Sequence, residues 1–137
     1  MPTGSPLTIF QVAGRAMSAQ LVRMNTTASN LANAGGTTGS AETAYKTMKP
    51  VFRTSFDAAS GLATVDVEKI VTAGEAPTKV YDPNNPLADK DGNIYQAAVD
   101  ESRELVDMME TARSYQNNVE VMNTAKQLTI DTLKLGR

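Results

Sequence analysis

The sequence predicts a mainly α fold: long N- and C-terminal helices pairing as an antiparallel coiled coil, with a small β-rich insertion between them. Three observations carry this. An apolar repeat of alternating fours and threes runs from Phe10 to Leu31, and a second begins at Leu105. Between them the pattern changes to period-2 alternation interrupted by Pro50, Pro77, Pro83 and Pro86. The expected division is a terminal-helix domain, 1–41 with 99–137, and an inserted domain, 42–98. A chain of 137 residues suits one such unit.

Ser5-Pro6 offers a start for the first helix, because serine caps and proline fits the first turn. Phe10, Met17, Met24 and Leu31 then recur every seventh residue, with Gly14, Leu21 and Ala28 four residues after the first three. That is a coiled-coil seam with small residues at one position. Gly35-Gly36 stops it. The helix should have about 29 residues and be roughly 43 Å long.

The insertion should hold strands at Tyr45–Phe56 and Leu62–Val71, turned by Ser60-Gly61. Thr78–Tyr81 reads as a short extended piece. Asp82-Pro83-Asn84-Asn85-Pro86 and Asp91-Gly92 read as turns. Its apolar content is too low for a large core.

The second helix should begin near Asp100-Glu101, where acids suit the dipole. Leu105, Met108, Ala112, Tyr115, Val119 and Met122 alternate by threes and fours. The seam then slides to Val121, Ala125, Leu128 and Leu135, a stutter that keeps a long helix straight. Gly136 closes it. Within one chain, Leu21, Met24 and Leu31 are expected against Met108, Tyr115, Val119 and Met122.

Charge is divided between these helices. Residues 1–41 hold Arg15 and Arg23 and no acid, whereas 99–120 hold six acids against Arg103 and Arg113. Either both helices have solvated faces or they lie side by side. Asn25, Thr26, Thr27, Ser29, Asn30 and Asn33 crowd the first helix; Gln116, Asn117, Asn118, Asn123 and Thr124 crowd the second. Such residues weaken isolated helices. They are either exposed polar surface or groups that become ordered when copies pack together.

Composition excludes much chemistry. The chain has no His, Cys or Trp, so imidazole catalysis, thiolate chemistry and zinc knuckles are out. A net charge of −2 and few aromatics speak against nucleic acid. The reading is no enzyme, no cofactor, no metal and no small-molecule substrate. Asp89, Asp91, Asn93 and Asp100 faintly resemble a calcium loop, but Ile94 stands where such a loop needs glycine. An Asp-Gly turn explains them better. The opening Met1-Pro2-Thr3-Gly4-Ser5-Pro6 lacks the marks of a signal peptide, and no apolar run approaches the roughly 18 residues that span a bilayer. Composition alone therefore predicts a soluble, cytoplasmic chain, or one exported without a cleaved signal.

Ala28-Ser29-Asn30-Leu31-Ala32-Asn33-Ala34 resembles the Ser/Ala-x-Asn-Leu-Ala-Asn signature of bacterial flagellar rod and hook proteins. Ser114-Tyr115-Gln116-Asn117-Asn118-Val119-Glu120-Val121-Met122-Asn123-Thr124-Ala125-Lys126 resembles their C-terminal signature, continued by Thr132-Leu133-Lys134-Leu135-Gly136. Asn85-Pro86-Leu87-Ala88-Asp89 is similar to a segment of the short, proximal-rod members. The family's frequent Met-Pro-Asn approach to the last helix is replaced here by Tyr95-Gln96-Ala97-Ala98.

The resemblance implies a structural axial subunit of the flagellar basal-body proximal rod, in the periplasm. Such a subunit polymerises with copies of itself and with related rod proteins into the helical drive shaft that transmits torque. The terminal helices of such proteins form an inner layer around the export channel. It also implies passage through the flagellar type III export apparatus, and contact with the MS-ring junction protein and the distal rod. Assembly would rest on Phe10, Met17, Leu21, Met24, Asn30, Leu31 and Asn33, and on Met108, Tyr115, Asn118, Val119, Met122, Asn123 and Leu128. Leu7, Ile9 and Phe10 would be read by the export gate, or serve simply as core. The alternative reading is a helical adaptor or membrane-surface protein using the amphipathic N-terminal helix, for which Arg15 and Arg23 are a weak basic complement.

Overall fold

A computed structural model of the chain describes residues 8–136. In order, the elements are α1 (Ile9–Ala32), β1 (Thr37–Thr38), β2 (Met48–Asp57), β3 (Leu62–Thr72), β4 (Thr78–Tyr81), β5 (Asn93–Gln96) and α2 (Glu101–Leu135).

Thr8, rather than a residue nearer the start, caps α1. Its hydroxyl accepts from the Gln11 N–H at 3.3 Å, and the Gln11 side chain accepts from the Thr8 N–H at 2.9 Å. This reciprocal box satisfies two orphan donors. Ser5-Pro6 lies outside the described residues. After Asn33 the chain turns through Gly35 at φ 74°, a conformation that favours glycine. Asp100 caps α2 by accepting from the Arg103 N–H at 3.1 Å. Glu101 and Glu104 follow in its first turn, as the dipole favours.

β2 and β3 form an antiparallel hairpin from Asp57↔Leu62 to Met48↔Thr72. The Asp57 carboxylate accepts from Ser60 Oγ at 2.7 Å and the Ala59 N–H at 3.2 Å, and Gly61 takes φ 67°. Val51 pairs with Lys69 but Phe52 pairs with Val67, so Glu68 is an extra residue and the ribbon bulges there. Pro50 sits in β2, which has an open edge in this two-stranded ladder. The other sheet has the order β1-β5-β4, all antiparallel.

The expectation of a mainly α fold is corrected by this count: of the described residues helices take 46% and strands 24%, arranged as two helices and two antiparallel sheets. The chain is better described as α+β. The insertion is poor in apolar residues, which makes the helices dominate the sequence pattern. Its hairpin needs no core of its own, because the ladder pairs its backbone and α1 supports it. β1 and β5 carried no alternation long enough to see.

α1 is the spine. It packs against α2 and against both hairpin strands, while neither strand comes within 8 Å of α2 between Cα atoms. Few large side chains are buried. Among the described residues the buried apolar ones are Ala13, Ala19, Ala44, Ile94 and Ala97, and the buried polar ones are Thr26, Thr27, Asn30, Thr47, Thr64, Glu104 and Thr111.

Candidate assembly surface

Three cross-links set the helix register. Asn30 bonds Glu104 at 3.0 Å, and Arg23 pairs with Asp107 at 3.1 Å and Glu110 at 3.7 Å. Rising numbers on α2 meet falling numbers on α1, so the helices are antiparallel. The side-by-side reading of the charge division holds for Arg23; Arg15 turns instead to Asp66 of β3, at 3.2 Å.

The line of α1 facing α2 follows from this register and from burial. It runs Ala13, Ala16, Gln20, Arg23, Thr27, Asn30 and meets Glu104, Asp107, Thr111, Ser114 and Asn118. These positions alternate by threes and fours, as a helix seam requires. Their side chains are small or polar. Thr111 is 0% exposed, and its hydroxyl donates back to the Asp107 carbonyl at 2.6 Å. Small residues let the helix backbones approach closely.

Asn30, 1% exposed, is the junction of the fold. Its amide N–H groups donate to the Met48 carbonyl at 2.9 Å and to Glu104 Oε2. Its Oδ1 accepts from the Met48 N–H at 2.9 Å and the Tyr45 hydroxyl at 2.8 Å. One side chain thus ties α1, α2, β2 and the preceding loop, with its bonding capacity used in full. Glu104, 4% exposed, has its charge-assisted bond here.

The apolar residues singled out from the sequence sit elsewhere. Phe10 and Leu21 are exposed at 37% and 44%, and Met17, Met24 and Leu31 are partly buried. On α2, Met108, Tyr115, Asn118 and Met122 are partly buried, whereas Val119, Asn123 and Leu128 are exposed. Ile9 is exposed; Leu7 lies outside the described residues. Asn33 is exposed and donates to the Ser29 carbonyl at 2.8 Å. Helix geometry places Met17, Leu21 and Met24 about 100° round α1 from the facing line, away from the hairpin. Met108, Ala112, Tyr115 and Val119 lie on the same side of the pair. The site reading missed Tyr45, Met48 and Glu104. The available signal was Glu104 itself, which shares a seven-residue spacing with Thr111, Asn118 and Ala125.

On the hairpin side, the gap between α2 and β2 is a groove floored by α1. One part is bordered by Arg23, Thr26 and Thr27, with Lys49 and Pro50 opposite Arg103 and Asp107. The next is bordered by Ala16, Ala19 and Gln20, with Thr54 and Val65 opposite Ser114, Asn117 and Asn118. Phe52 borders both. Gln20 Oε1 is buried there without a hydrogen-bond partner.

The Asp89 loop uses its carboxylate as a turn acceptor. Asp89 Oδ1 takes the N–H groups of Asn93 at 2.8 Å and Asp91 at 2.9 Å. The Asn93 bond foremost, joined by the Asp91 bond and the Lys79 charge, holds the carboxyl below its ordinary range against an opposing desolvation second only to the Asn93 bond. Among the described residues, no helix is long and apolar enough to cross a membrane.

Two family models match the chain: "Flagella basal body rod protein" over residues 10–39 and "Flagellar basal body rod FlgEFG protein C-terminal" over residues 90–135. A Salmonella typhimurium protein named flagellar basal-body rod protein FlgC is 46% identical over 133 residues, 96% of this chain and 98% of its own. The Yersinia enterocolitica protein of that name is 41% identical over 133 residues, 97% and 99% of the two chains. That of Buchnera aphidicola from Acyrthosiphon pisum is 38% identical over 134 residues, 96% and 98%.

Proposed function

The chain belongs to the FlgC flagellar basal-body rod proteins, structural rather than enzymatic subunits of the proximal rod, and from that premise we propose how it is built in. It assembles with other flagellar basal-body rod proteins, and its place is the basal-body rod. In our reading α1 and α2, with their flanking residues 1–41 and 99–137, form the layer that surrounds the export channel. The insertion, 42–98, stands outside that layer. The subunit passes the export apparatus without a folded core to dismantle, with Leu7, Ile9 and Phe10 as its recognition patch. It then meets its own copies, the MS-ring junction protein and the distal rod.

One observation carries this. The helix pair joins through small and polar residues and leaves an apolar side incompletely covered: Leu21, Val119 and Phe10 are exposed, and Met17, Met24, Met108 and Tyr115 only partly buried. Covering each with a neighbour contributes about 1 kcal/mol, so a few such contacts decide association. The assembly residues named from the sequence, from Phe10 to Leu128, lie mostly on that side or on the exposed end of α2. Leu21→Glu tests the reading. The variant should keep its helix content by circular dichroism and be lost from isolated basal bodies. Incorporation at the normal level would overturn it.

A further inference from the structure

We draw no further inference here: the strongest candidate, the exposed apolar patch of Leu105, Val106 and Met109 on the face of α2 turned away from α1, carries nothing because the structure does not show what covers it.

Discussion

Toward α2 and the hairpin, α1 presents Ala16, Ala19, Gln20 and Thr26; on the far side it presents Met17, Leu21 and Met24. The first set is small or polar, and much of it is covered by the chain itself. The second is apolar and left partly open. Small residues give close packing and hydrogen bonds a particular geometry, which suits contacts made once, inside the subunit. Non-directional apolar area suits contacts that must form with several related neighbours. The difference shows that the larger apolar stripe of a helix need not mark the inside of the folded chain.

Deleting residues 1–20 removes part of both sides and should abolish incorporation; normal motility in a strain carrying only that protein would break the comparison. Asn30→Ala attacks the inward set alone. It strips Glu104 and the Met48 N–H of a buried partner and should cost about 3 kcal/mol. Thermal unfolding should shift down by about 10 °C. Met24→Gln, on the far side, should change monomer stability by less than about 0.5 kcal/mol in denaturant titration while weakening assembly. Hydrogen exchange on a proven monomer sharpens the contrast along α2, with amides of 104–118 about tenfold slower than those of 121–135. The smallest effect is at Asp89. Its folded carboxyl is held below the ordinary 3.8, so its stabilisation is present above that value and fades as pH falls through the lower one. The Asp91 and Asn93 amide resonances should therefore move only below about pH 3.8.

Several elements were legible because their signals are local. The start of α2 near Asp100-Glu101 and the Ser60-Gly61 turn of the hairpin follow from acids at the helix dipole and from turn chemistry, and Thr78–Tyr81 was already visible as a short extended piece. The start of α1 was less so, because Thr8 caps through Gln11 while Ser5-Pro6 offered a stronger-looking signal. β1 and β5 escaped because strands of two and four residues exist through their pairing, which is non-local. The candidate site was legible in content more than in arrangement. Asn30 was marked by its motif, but its three partner residues, Tyr45, Met48 and Glu104, lie 15 to 74 residues away. The heptad of Met17 and Met24 pointed to packing; only the competing line through Ala13, Gln20 and Thr27 decides what packs inside the chain.

The cross-links between α1 and α2 are unevenly placed. Asn30–Glu104 and the Arg23 pairs lie toward the insertion, and among the described residues no polar bond joins the helices nearer Ile9. The pair is clamped at one end like the arms of a tuning fork. A twisting load on the subunit is therefore resisted stiffly at the clamp and elastically toward Ile9, where the described residues form no such bond. Compliance concentrated there lets identical subunits take up small differences in curvature around a shaft while the joint at Asn30 keeps its shape.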